Sequence, residues 1–526
     1  MNAEAKRVHR HHWIGRGIFP DYSSDEEGDV DVSDDEVLHQ ETHLQGRRLP
    51  VAADERVMDA VRLRFQPREI VTNVPGGKTV TATDYSMKWG KKDPMTTHEL
   101  TFDEHNDFDK GFVYVSGMSV GRIARVSTAD PRRQQIFKFP KSSQPHTLRF
   151  ANVKSDTAHG VLWVGLEKEG KIVSLNMNKI FEKYGKMHPT KGRIPSRAVL
   201  EEIDYGSVCN VHIKADTIPC PGINTHPHGF CFDATYEYLW FTGKLTNTVG
   251  RIALNGDPKT LNHYQLPTLG AVPIYVALGP DKNVWGTCLA NNMIFRVTTG
   301  ANGIPPGTVT EIPASHEGPG RRPIAIKPDP FGEQFMWFSA EAGHSVCRID
   351  IEALEVSLKK QLETKQKKDG DTSTCVCSTG CKFLYKADPS TENVITEFAI
   401  PRVNDNMLLG GLAFDEEGTL WTQSYNNPTS NTTGLPDYIV RLGVDIHTRC
   451  HEHNSSTSPI ACLTGVPIDF YQLPSKDTIL HRITVGPDNR VWFTELGADR
   501  LGTIKIGTEE GASDHAAAAK KRKRSK

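Results

Sequence analysis

The sequence predicts an all-β fold, a seven-bladed β-propeller between an acidic N-terminal tail and a basic C-terminal tail. Three observations predict it. A short apolar strand, a turn, a second strand ending in Trp, a loop and a third strand ending in Arg-Ile or a similar pair recur as one unit. A fourth strand closes on proline before the next unit, at Pro140, Pro267, Pro313, Pro401 and Pro474. The step from Trp240 to Trp285 is 285 − 240 = 45 residues, within the roughly 40–50 expected of a four-stranded blade.

Seven copies follow one another across residues 98–506. They begin at His98 (HELTFDE), Pro145 (PHTLRF), His226 (HPHGFCF), Ile274 (IYVALGPD), Ile324 (IAIKPDP), Gly410 (GGLAFDE) and His481 (HRITVGPD). Apolar alternation and β-branched content within each run fit strands, and the GPD turns at Gly279 and Gly486 suit tight hairpins. The longer step of 421 − 337 = 84 residues between two tryptophans marks an insertion. Insertions are expected near 352–390, between blades five and six, and near 445–465, within blade six. The first begins EALEVSLKKQLETKQKK, from Glu352, which reads as a charged surface helix. After Ile506 the seventh unit lacks an outer strand. The segment EIVTNVP, Glu69 to Pro75, has the pattern and closing proline to supply it, so residues 51–97 are a lead-in carrying the closure strand.

Residues 1–50 contain DYSSDEEGDVDVSDDE, from Asp21 to Glu36, too polar to offset the entropy of ordering, and are expected to be disordered. Residues 507–526 form a basic tail, in which Lys520, Lys521, Arg522, Lys523 and Arg524 have the form of a nuclear localisation signal. Ser24 and Ser33 precede acidic residues and suit an acid-directed kinase. The net charge of −2 gives no global field for nucleic acid or an anionic membrane, which leaves only the basic tail for nucleic acid. No apolar run approaches the roughly 20 residues that span a bilayer, and MNAEAKRVHRHHW lacks the apolar core of a secretory signal. The expectation is an intracellular monomer, cytoplasmic or nuclear. Ten cysteines in 526 residues are too sparse for a disulfide scaffold. Cys375, Cys377 and Cys381, with Cys450, His451, His453 and Cys462, are either zinc ligands or local disulfides and free thiols.

The strings THPHGF…LWFTG…TVGRI and ITVGPDNRVWFTELGADRLGTI resemble the blade signature of the streptogramin B lyase (virginiamycin B lyase) family, over roughly residues 98–506. The resemblance implies a magnesium-dependent carbon–oxygen lyase that opens a cyclic depsipeptide ester by elimination rather than hydrolysis. The family's last blade carries Glu-Pro-His-Gly and, farther on, Trp-Phe-x-Glu. On this sequence the resemblance makes His481, 492 − 481 = 11 residues before Trp492, the base, and Glu495 of WFTE a ligand of Mg2+. The family's other glutamate falls on Ile479, which cannot ligate magnesium, and its other histidine on Gly410.

His98, His146 and His228 occupy the same blade-start position as His481. Innermost strands start at the channel mouth, so the four are expected to converge there. The first three would serve as substrate-binding groups, or the rings simply face a wet channel. Trp163, Trp240, Trp285, Trp337, Trp421 and Trp492 recur once per blade and read as packing between blades. The partner is then a small cyclic or ester-bearing ligand at the mouth. The alternative is a non-catalytic propeller that offers its loops and tails to a protein partner or ligand.

Overall fold

The computed structural model describes residues 66–507, apart from 75–77, 90–94, 105–107, 141, 152–159, 192–198, 203–208, 215–223, 255–259, 302, 315–320, 370–381, 385–393, 428–433, 448–462 and 464. Both tails, with Ser24, Ser33 and the Lys520–Arg524 run, and the cysteine and histidine groups at 375–381 and 450–462 lie outside the described residues.

Seven sheets, each with four antiparallel strands and three of them with a fifth strand added, form the ring. Their innermost strands are Thr97–Thr101, Pro145–Phe150, Pro227–Phe232, Pro273–Leu278, Pro323–Pro328, Met407–Phe414 and Leu480–Val485, for blades one to seven. Second strands such as Phe112–Gly117, Val161–Leu166 and Phe335–Ala340 are buried at every residue, because both faces of a blade are covered by its neighbours. The repeating tryptophans sit in these strands and are 0–5% exposed, packing one blade on the next as expected. Four of them also donate Nε1–H to the aspartate of the preceding hairpin, at 2.9 Å for Trp285–Asp281, Trp337–Asp329, Trp421–Asp415 and Trp492–Asp488. That aspartate is the one in the GPD turn and its relatives, so turn and core are fastened by a single carboxylate.

Blade seven is closed from the N-terminal side, one strand along from the segment expected. Lys78–Ser86 pairs with Arg500–Gly507, from Thr79↔Gly507 to Ser86↔Arg500, and Arg68–Val74 lies outside it as a fifth strand. The fourth strand, KTVTATDYS, owes its place to Val80 and Ala82, which turn inward, and to Asp84. Buried Asp84 receives Arg500 Nε at 2.6 Å and a hydrogen bond from the Ser475 hydroxyl. Its threonines hide the apolar alternation that EIVTNVP displays openly.

The insertion that follows Asp350 lies within blade five, before its outer strand Ile395–Ala399, and not between blades five and six. Its helix, Ile351–Asp369, is pinned by buried Ile351 and Leu354. Beyond it, Lys382–Leu384 adds a parallel fifth strand to blade four. Val199–Glu202 does the same for blade one. Among the described residues no helix is long and apolar enough to cross a membrane.

Candidate functional site

Every innermost strand carries a β-bulge at the same place. In blade three Pro227 faces Gly243 but Phe230 faces Phe241, three residues against two, and the other six blades repeat the shift. A bulge breaks strict alternation and re-aims side chains. Here it turns two consecutive residues to the mouth, His98 with Glu99 in blade one and His481 with Arg482 in blade seven. A hydroxyl of the second strand fixes the bulge. Thr242 accepts from Gly229 N at 2.8 Å and donates to Ile274 O of the next blade at 2.9 Å. Thr494 likewise accepts from Arg482 N at 3.0 Å and donates to His98 O at 2.8 Å. The threonine of Trp-Phe-Thr is thus the stitch that sets the backbone beside His228 and His481, and the Ser116 hydroxyl accepts from Glu99 N at 2.9 Å in the same way beside His98.

The four blade-start histidines come together as expected. Ring centroids are 3.8 Å apart for His481 and His98, 4.1 Å for His98 and His146, and 4.1 Å for His146 and His228. They run along blades seven, one, two and three as an arc. The same position holds Ile274, Ile324 and Gly410 in blades four, five and six. The adjoining cavity is lined by Leu100, Phe230, Ile326 and Ile483 together with Glu99, Thr101, Arg149, Lys327, Arg482 and Thr484. Burial lowers the Lys327 ammonium to a pKa of about 8.

Several groups that sequence reasoning missed complete the arc. Glu99 accepts Arg482 Nε at 2.6 Å on Oε2, and Arg482 in turn lies over the Tyr275 ring at 4.1 Å. Glu99 Oε1 stands 3.7 Å from His481 Nε2, which also meets the Tyr275 hydroxyl at 3.4 Å. Glu167 is held by Lys244 and by His226, each at 3.2 Å. The signal for Glu99 and Arg482 was their adjacency to a blade-start histidine, legible only to a reader who places the bulge.

Electrostatics follow from burial. Desolvation, reinforced by the neighbouring imidazoles, holds His98 well below the usual histidine value. It takes His146 to about 4 and, with Arg482, depresses His481. Burial alone would raise Glu167, but Lys244 and His146 outweigh it and keep the carboxyl ionised. Since a carbonyl oxygen can only accept, the 3.0 Å contact of His228 Nδ1 with Ile274 O fixes the proton on Nδ1 and leaves a lone pair on Nε2.

Glu495 does not join the arc. Alternation sends Thr494 toward blade one and Glu495 the opposite way, into the company of Asp84, Arg500, Ser475 and Asp437. Both its oxygens are buried without a hydrogen-bond partner. Burial first, then the Asp84 charge, lifts its pKa to about 8, so it is largely protonated at neutral pH. The magnesium implied there does not fit these residues: Ile479 offers no oxygen where the family has a glutamate, and the neighbouring Asp84 carboxylate is committed to Arg500. Ile479 itself is β-branched at φ 42°, a backbone region that such residues avoid.

The sequence model of the virginiamycin B lyase family matches residues 155–359. A comparison with curated proteins finds no match. Among solved structures, a streptogramin B lyase aligns over 81% of this chain and 98% of its own, at 17% identity and a TM-score of 0.50. Virginiamycin B lyase from Staphylococcus aureus aligns over 81% and 99%, at 18% identity and a TM-score of 0.49. A catalytically inactive variant of the same enzyme with quinupristin aligns over 84% and 99%, at 18% identity and a TM-score of 0.48. At these identities the structural likeness is one of fold. The chain is a seven-bladed propeller that resembles the virginiamycin B lyase family, in sequence over residues 155–359 and in fold around the ring.

Proposed function

We propose that the channel mouth binds a small cyclic or ester-bearing ligand and opens it by carbon–oxygen elimination, with an imidazole of the arc as proton acceptor. One observation carries this reading: four imidazoles from consecutive blades stand side by side, next to a cavity lined by both charged and apolar side chains, Glu99, Arg482 and Lys327 with Phe230 and Ile326 among them. His228 presents Nε2 because Ile274 holds its other nitrogen. His481, the base by resemblance, has its Nε2 beside the Tyr275 hydroxyl and Glu99. In the reaction the C–H bond next to the carbon that bears the ester oxygen breaks and its proton passes to the imidazole. The electron pair becomes a C=C bond, and the C–O bond breaks to release a carboxylate. Arg149 and Lys327, which line this cavity, are cations that such a carboxylate would meet.

The test is incubation with a cyclic depsipeptide of the streptogramin B type. Elimination yields a linear product of unchanged mass with a new alkene, whereas hydrolysis adds one water. His228→Ala and His481→Ala are expected to lower turnover by about 100-fold while circular dichroism stays that of the wild type. A wild-type protein that neither converts nor binds the depsipeptide overturns the reading. The non-catalytic alternative then stands, favoured by Ile479 and Gly410 where the family has glutamate and histidine.

A further inference from the structure

The arc contains more metal-ligating chemistry than proton transfer needs. One nitrogen each from His98, His146 and His481 and one oxygen of Glu99 all lie within 4.8 Å of one another. A tetrahedral ion with bonds of about 2.1 Å sets its ligands roughly 3.4 Å apart, so about an ångström of closure brings the four donors to bonding distance. The donors come from three blades, and two of them are fixed from behind. The Thr147 hydroxyl is 3.0 Å from His146 Nδ1, which leaves Nε2 for the mouth. Arg482 grips Glu99 through Oε2 alone.

Two atoms of these residues are orphans. His98 Nδ1 and Glu99 Oε1 are buried and have no hydrogen-bond partner, in residues only 3% and 2% exposed. A buried polar atom that nothing meets destabilises the fold, and both belong to residues of one cluster. A cation between them would satisfy both. The neighbouring set of His146, Glu167 and His228 differs, because its one carboxylate already has cationic Lys244, and His226 as well, at 3.2 Å.

Donor chemistry selects the ion. Three imidazoles and one carboxylate suit a divalent first-row transition metal or zinc, whereas magnesium and calcium prefer shells of oxygen. We propose that His98, His146, His481 and Glu99 hold one divalent transition-metal ion at the channel mouth. The inference goes beyond the elimination reading and concerns the same site: in the loaded protein His481 is a ligand, and His228, one ring farther along the arc, remains the proton acceptor. The bound ion would polarise the ester carbonyl of the ligand and so ease departure of the carboxylate.

Tag-free full-length protein is stripped with a chelator, dialysed and titrated with Co2+. The expected result is one equivalent bound with the visible absorption of a four-coordinate nitrogen and oxygen site, and no thiolate-to-cobalt band. His98→Gln and Glu99→Gln should each weaken binding by at least tenfold, and Glu495→Gln should leave it unchanged. If His98→Gln fails to fold, Glu99→Gln decides, since glutamine keeps the volume and the contact with Arg482. A thiolate band, which would place the ion on cysteines, overturns the proposal. So does a wild-type spectrum in both ligand variants, or the absence of stoichiometric binding. Metal bound without turnover of the depsipeptide sinks the elimination reading and leaves this one standing. Turnover by protein that binds no Co2+ does the reverse.

Discussion

Blades seven, one, two and three place histidine at the mouth, and blades four, five and six place Ile274, Ile324 and Gly410 at the same backbone position. The frame is shared. Both halves have the bulge, and in both a second-strand hydroxyl ties one blade to the next, as Thr242 does on the histidine side and Thr287, 2.6 Å from Ile324 O, does on the apolar side. The repeat therefore builds seven equivalent sockets, and function depends on what fills them. Polar and apolar sockets thus occupy opposite arcs of the ring.

The sharpest departure from this equivalence is Glu495. Its counterparts are Gly117, Leu166, Gly243, Cys288, Ala340 and Ser424, none of them charged. A carboxyl raised from 4.5 to about 8 binds a proton in the native state that the unfolded chain has released. Its stabilising contribution is full below pH 4.5 and is lost as the pH rises through about 8. Glu495→Gln should remove that loss, a difference of roughly 3–5 kcal/mol between the two proteins at pH 9 relative to pH 4.5. Urea unfolding at both pH values measures it, and parallel pH curves would show that the carboxyl ionises freely.

Gly410→His tests whether the apolar half will accept an imidazole. A Cβ at Gly410 would stand 2.6 Å from Gln423 Oε1 and 2.7 Å from Gln423 Cβ. Gln423 uses its amide to hold Gly411 N at 2.8 Å and Arg482 O at 3.0 Å. The histidine should therefore cost about 3 kcal/mol in urea unfolding at neutral pH. An unchanged midpoint would mean that the position is open and that its glycine answers no steric demand.

The smallest effect separates two tryptophans. Trp337 donates to Asp329, but Trp240 Nε1 is buried without a partner. Replacing each by phenylalanine removes similar volume, yet only Trp337→Phe strips a buried carboxylate of a donor. It should cost about 1–2 kcal/mol more than Trp240→Phe. Equal losses would make the aspartate contact incidental to packing.

The ring was legible in the sequence because a repeat states the same pattern seven times, and an error in one copy is corrected by the others. The four histidines were legible for the same reason. What occurs once was harder to place. Lys78–Ser86 was passed over because threonines interrupt its apolar rhythm, and its partner in Arg500 lies at the far end of the chain. Glu495 was drawn into the site by a linear motif, which says nothing about the face of the strand on which a side chain emerges. Glu99 and Arg482 were overlooked for the converse reason: simple alternation puts them on the face away from the histidines, and the bulge brings them back.

The pairing that closes blade seven also sets a timetable. Ser86 meets Arg500, 500 − 86 = 414 residues later. At about 5–20 residues per second of synthesis, the partner of this strand leaves the ribosome roughly 20–80 s after the strand itself. Throughout that interval a threonine-rich β-segment waits with an exposed edge while blades one to six assemble beside it. Ring closure is then among the last events of biogenesis, and the step most open to capture by a chaperone or by the same strand of a second nascent chain.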